Sequence, residues 1–184
     1  METFILLMIF KYDLSLDEIK NTNHEDNLNY YYDSIKGLFQ DGDIIVGYSL
    51  GCIYASLIAE KLEKDKRIDK IVLIDGTLDF VNEDEDEREN MVNWVADMIQ
   101  KKSLMNPSKN IRKMIKKIIE ISYINSCWNF HTPKINSHII YLSTLNLFKE
   151  ELECISDNYE YILIDSSHQD IIEKDFDKIS HYFN

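Results

Sequence analysis

The segment DIIVGYSLGCIYASLIAEKLE, residues 43–63, decides how this chain is read. At its centre, Gly47-Tyr48-Ser49-Leu50-Gly51 sets one serine between two glycines, each two positions away, in a chain of 184 residues with only five glycines. The apolar run before it reads as a strand. The residues after it carry Ile53 and Leu57, then Ile58 and Leu62, each pair four apart, and read as a helix. A strand that turns this sharply into a helix brings the side chains two before and two after the serine into collision, so both positions favour glycine. The turn also serves the serine. It exposes the hydroxyl beyond the strand end, sets it at the positive end of a helix dipole, and aims the following N–H, that of Leu50, at an oxyanion formed there. A serine hydroxyl is a poor nucleophile without a base and oxyanion donors. The G-x-S-x-G pattern therefore makes Ser49 a candidate nucleophile. The competing reading of the same residues is a tight strand–helix turn whose serine caps the helix.

A nucleophile on such a turn is followed in sequence by an acid and then a histidine. His168, in YILIDSSHQDII, comes just after a strand-like run and just before the last helical segment, where a parallel sheet presents its catalytic loops. His24 and His181 read as surface positions, and His131 and His138 flank the start of a strand at the opposite end. In many hydrolases of this class the acid follows the strand that precedes the histidine strand. Here that strand, HIIYLST, leads through Ser143-Thr144-Leu145-Asn146 with no carboxylate until Glu150. One strand earlier, KIVLIDGT carries Asp75 at its end, followed by Gly76. Asp75 would stand beside Ser49 at the C-terminal edge of the sheet, able to orient His168. Asp79 and Asp165 are weaker candidates, and the bland reading of Asp75 is a turn or cap aspartate.

Five apolar runs read as strands: residues 3–10, 43–47, 70–75, 138–143 and 160–165. Most are apolar without alternation, as strands covered on both faces are. Helical patterns at 27–39, 52–62 and 173–182 separate or follow them. Strand and helix in alternation predict an α/β fold with a mostly parallel sheet flanked by helices. The alternation breaks between Val81 and Phe130, which show no strand signal, open on an acidic run at Glu83–Glu89, and continue as two helical patterns at 90–102 and 108–122 joined near Pro107. This reads as a helical lid inserted at about 81–130 in a single domain spanning 1–184.

Composition narrows the partners. A net charge of −13 argues against nucleic acid and anionic membranes, because phosphate contacts need basic residues. No run approaches the ~18 apolar residues of a transmembrane helix. The N-terminal FILLMIF is short, has no basic flank before it and no cleavage site after it, and reads as a buried strand and not a signal peptide. Three cysteines, Cys52, Cys127 and Cys154, are an odd number without metal-type spacing and suit reduced thiols in the cytoplasm.

GYSLG at 47–51, the aspartate ending VLIDGT and the late histidine of SSHQDII together resemble the thioesterase family of nonribosomal peptide and polyketide synthesis. That family includes integrated release domains and standalone type II thioesterases of the α/β-hydrolase fold. Its unusual acid position is matched by Asp75, and a helical lid after that strand is also a family feature. The resemblance implies hydrolysis of acyl or peptidyl thioesters held on the phosphopantetheine of a carrier protein, with Ser49, His168 and Asp75 as the triad and no cofactor or metal. Tyr48, Gly76 and Thr77 fall near the expected substrate site. Lys109, Arg112, Lys113, Lys116 and Lys117, opposite an apolar face of Ile111, Met114, Ile115, Ile118 and Ile119, form either a docking stripe for an acidic carrier or a solvated helix face. The chain departs from the family at its N-terminus: residues 3–10 resemble by order the strand just before the elbow's crossover, and the first strands and the oxyanion loop are expected to be absent. One missing donor lowers rate by ~10²–10³, so slow turnover is expected, and strands missing from the sheet would leave an apolar edge uncovered, so some self-association is expected. The alternatives are a non-catalytic α/β-hydrolase-like interaction protein and a carboxylesterase or lipase acting on free esters.

Overall fold

A computed structural model describes residues 4–7, 23–82 and 128–183. They fall into two compact units: residues 4–7, 25–79 and 131–183 belong to one, and residues 23–24, 80–82 and 128–130 to the other. In chain order the elements are β1 (Phe4–Leu7), α1 (His24–Ile35), β2 (Ile44–Tyr48), α2 (Gly51–Leu62), β3 (Lys70–Ile74), β4 (Val81–Asn82), β5 (Trp128–Asn129), β6 (His138–Ser143), α3 (Lys149–Ile155), β7 (Tyr159–Leu163) and α4 (Asp170–Glu173), followed by 3-10 turns at Phe176–Lys178 and Ser180–Phe183.

The first unit is built on a five-stranded sheet in the order β1-β2-β3-β6-β7, every neighbouring pair parallel. The parallel α/β sheet expected from the alternating pattern is the one that forms. Its central strands are runs of β-branched and leucine residues because both faces are covered: Ile44, Ile45, Ile71, Val72, Leu73, Ile139 and Leu142 are all fully buried. Each such side chain contributes about 1.5–3 kcal/mol on burial. Ile44 and Val46, Val72 and Ile74, and Ile140 and Leu142 pack with Ile171, Ile179 and Phe183 of the C-terminal segment. α2 packs on β2 and β3. It is buried along Gly51–Ala59, which is why it reads as apolar almost all round. At the sheet edge, β7 is only half covered.

Three features depart from the sequence reading. α3, between β6 and β7, was not expected: it has seven residues with only Leu152 and Ile155 buried, too short for a periodic signal. The C-terminal helix expected at 173–182 is instead α4 followed by 3-10 turns. The Asp170 carbonyl accepts both Lys174 N–H and Asp175 N–H at 2.8 Å, closing α4. Ser166 Oγ then bonds the Asp175 carboxylate at 2.7 Å, and the tighter turns stack Phe176 on Phe183 at 5.6 Å. In the second unit, the span read as free of strands carries a short antiparallel ladder near its ends, with Val81 opposite Asn129 and Asn82 opposite Trp128. The helical patterns at 90–102 and 108–122, the basic stripe, the acidic run and Cys127 lie outside the described residues.

β1 pairs directly with β2, with Leu7 opposite Gly47, so it ends beside the serine turn.

Candidate active site

The turn from β2 into α2 holds Ser49 at φ 55°, a left-handed conformation that a non-glycine residue adopts only under constraint. The constraint is visible. Ser49 N–H donates to the Ile74 carbonyl at 3.0 Å, and the Ser49 carbonyl accepts Cys52 N–H at 3.0 Å. Gly47 is required by the crowding the motif predicts: a Cβ there would stand 2.7 Å from the Gly51 carbonyl oxygen, 2.8 Å from Ala55 Cβ and 2.9 Å from Cys52 Cα. Gly76 is constrained more tightly, by a contact outside the motif. Its Cβ would lie 2.0 Å from the Ser49 carbonyl oxygen and 2.4 Å from Cys52 Sγ. The end of β3 therefore runs directly under the serine turn. Leu50 takes the N-cap position of α2, and its N–H has no acceptor among the described residues.

Asp75 follows β3 at φ 44°, its N–H bonded to the Leu142 carbonyl at 2.7 Å. Its side chain is only 8% exposed. A carboxylate so buried needs donors. His168 Nδ1 lies 2.8 Å from Asp75 Oδ2, Thr144 N–H donates to Oδ1 at 2.7 Å, and Thr144 Oγ1 sits 2.8 Å from both oxygens. Burial works to raise the Asp75 carboxyl, but the hydrogen bonds from His168 and Thr144 outweigh it and hold it below the ordinary aspartate value. An ionised carboxylate only accepts, so His168 Nδ1 is the donor and a neutral ring keeps its lone pair on Nε2. That is the tautomer a general base requires.

Tyr48 braces the histidine. Its ring stacks on the imidazole at 5.0 Å and 18°, and its hydroxyl donates to the His168 carbonyl at 2.7 Å. Burial, then the charge of Asp75, raises the Tyr48 hydroxyl and keeps it a donor. Thr77 Oγ1 accepts Asp79 N–H at 3.1 Å. Thr77, Tyr141, Thr144, Leu147 and His168 are among the residues lining a cavity of about 530 Å³ that Asp75 and Gly76 also border. Tyr141 donates its hydroxyl to the Gly76 carbonyl at 2.5 Å.

Asp75 and His168 are thus brought together, and Ser49 stands at the same end of the sheet. Among the described residues the Ser49 hydroxyl makes no hydrogen bond, to His168 or to any other group. Among the described residues no other carboxylate meets the His168 ring. The Asp165 carbonyl accepts Lys178 Nζ at 2.6 Å, and Glu150 lies in the first turn of α3. His131 pairs with Glu60 at 2.5 Å, His138 lies 3.3 Å from Glu160, and His181 packs on Tyr182. Burial pushes the Cys52 thiol far up, which removes it as a nucleophile. No cluster of three potential metal ligands occurs among the described residues. Thr144 is a functional residue that no carboxylate or histidine pattern in the sequence marks. The signal available there was a hydroxyl where an acid commonly stands.

No protein-family model matches the chain, and no curated protein sequence matches it. Solved structures do. ClbQ from the colibactin NRPS/PKS pathway superposes with a TM-score of 0.64 at 16% identity, over 88% of this chain and 75% of its own. The type II thioesterase BorB from the borrelidin biosynthetic cluster gives 0.60 at 9% identity, over 88% and 74%. An α/β-hydrolase family protein from Desulfitobacterium hafniense gives 0.60 at 14% identity, over 88% and 75%. At these identities the likeness establishes the α/β-hydrolase fold, in which thioesterases of biosynthetic clusters are built.

Proposed function

We propose that the protein is a serine hydrolase that cleaves acyl or peptidyl thioesters carried on the phosphopantetheine of a carrier protein. The observation that carries this reading is the 2.8 Å contact between His168 Nδ1 and a buried Asp75 carboxylate, at the sheet edge where Ser49 occupies a strained strand–helix turn. The fold shared with a type II thioesterase supports the thioester as the substrate class. Ser49 Oγ attacks the thioester carbonyl and passes its proton to His168 Nε2. The Leu50 N–H stabilises the oxyanion, and Asp75 stabilises the imidazolium. The C–S bond breaks, His168 protonates the departing thiol, and water then attacks the acyl-serine with His168 again taking the proton. No cofactor enters these steps.

Among the described residues the Leu50 N–H is the oxyanion donor this reading uses, and removing one such donor lowers rate by ~10²–10³. A non-catalytic interaction protein is the second reading. It is favoured by the Ser49 hydroxyl having no hydrogen bond to His168, although such bonds often tighten only with substrate bound. Hydrolysis of a short acyl thioester by the wild type and by Ser49→Ala separates the two. Turnover lost in the variant supports the hydrolase, and equal background rates support the interaction protein. Faster cleavage of a matched oxygen ester would favour a carboxylesterase.

A further inference from the structure

We infer that Thr144 is a positioning residue that locks the Asp75 carboxylate in the orientation His168 needs. The inference rests on the hydrolase reading for its kinetic consequences, but its geometry stands independently. β3 and β6 are paired with Ile74 opposite Leu142, and Asp75 N–H continues the ladder to the Leu142 carbonyl at 2.7 Å. In a parallel ladder the next rung would run from Thr144 N–H to the Asp75 carbonyl. At φ 44° the backbone of Asp75 has left the strand conformation, and Thr144 N–H donates to Asp75 Oδ1 instead, at 2.7 Å. The acid's side chain replaces its own main chain in the sheet.

The Thr144 hydroxyl completes the grip. Oγ1 is 2.8 Å from both Oδ1 and Oδ2, so its one proton is shared between the two oxygens. With Oδ1 held by the backbone N–H, rotation of the carboxylate is blocked and Oδ2 remains on Nδ1. Water is poorly placed to substitute, because the Asp75 side chain is 8% exposed. The loop 143–146 contains no acid, and at the position where one would compete for His168 this chain supplies a donor to the acid one strand away.

The test compares wild type with Thr144→Val, which keeps shape and N–H but loses the hydroxyl, and with Thr144→Ser, which restores it. Thr144→Val is expected to lower kcat about tenfold with KM changed less than about twofold, and Thr144→Ser to return within about twofold of wild type. Nitrogen NMR of the His168 ring supplies the readout that a structural role would leave unmoved. Wild type and Thr144→Ser should hold the Nδ1–H tautomer, and Thr144→Val should show a mixed population. Wild-type kcat and a wild-type ring signal in folded Thr144→Val overturn the proposal, as does a folded Thr144→Ser as impaired as the valine variant. If Thr144→Val does not fold, Thr144→Ala at this half-buried position carries the same readings. If the wild type neither hydrolyses thioester nor reacts with a fluorophosphonate, the hydrolase reading fails, and the ring signal alone decides the role of Thr144.

Discussion

The Asp75 carboxylate and the His168 imidazole, 93 residues apart in sequence, meet at 2.8 Å with the acid nearly buried and the ring half exposed. The asymmetry suits a histidine that must exchange protons on one side and be held on the other. In the proposed mechanism Asp75→Asn replaces an obligate acceptor with an amide that can donate, which permits the wrong tautomer. The expected result is a fall in kcat of about 10³–10⁴ with the fold retained, measured by thioester turnover alongside circular dichroism. Retention of most activity would remove Asp75 from the mechanism.

The same carboxylate carries a signature in stability. Its folded pKa lies below the ordinary value of 3.8, so the unfolded chain binds its proton first as pH falls. The contribution is therefore fully present above that value and is lost as pH drops through the lower folded value. Denaturant titrations of wild type and Asp75→Asn should differ most near neutral pH and converge in acid. A gap that widens on acidification would give the shift the opposite sign.

Tyr48 separates positioning from substrate contact. Tyr48→Phe keeps the ring stack on His168 and loses only the hydroxyl bond to its carbonyl, so about 0.5–1.5 kcal/mol of support goes, a drop in kcat of about 2- to 13-fold. Tyr48→Leu loses the stack as well and should be slower still at nearly constant KM. A rise in KM with kcat preserved would mean that Tyr48 touches substrate instead.

Gly76→Ala tests the packing beneath the serine. Its Cβ would collide with the Ser49 carbonyl oxygen at 2.0 Å, whereas a Cβ at Gly37 meets nothing within 4 Å. Urea denaturation should show Gly76→Ala less stable by at least about 1–3 kcal/mol and Gly37→Ala unchanged within about 0.5 kcal/mol. Equal midpoints for the two variants would contradict the contact.

The fold was legible where burial is two-sided. Ile44–Val46, Ile71–Ile74 and Ile139–Leu142 are continuous apolar runs because helix or chain covers both faces of the sheet, and no amphipathic pattern competes. Ser49 and Gly47 were legible for a related reason: the collision that excludes a side chain at Gly47 is local, and local geometry is written in adjacent residues. Asp75 could be placed near the serine because a strand end beside the serine strand leaves it little choice. Thr144 could not be read, because its contact with Asp75 depends on the register of β3 against β6 and on the left-handed turn at Asp75. α3 and the 3-10 turns after α4 bury too few residues to set a period.

The central claim is that Ser49 is a working nucleophile, and covalent labelling by a fluorophosphonate tests it without any assumption about substrate. Wild-type protein should gain one phosphonyl group on the peptide containing Ser49, His168→Ala should react far more slowly, and Ser49→Ala should not react. Labelling of Ser49→Ala equal to wild type, or a folded wild type that stays unmodified, would contradict the account.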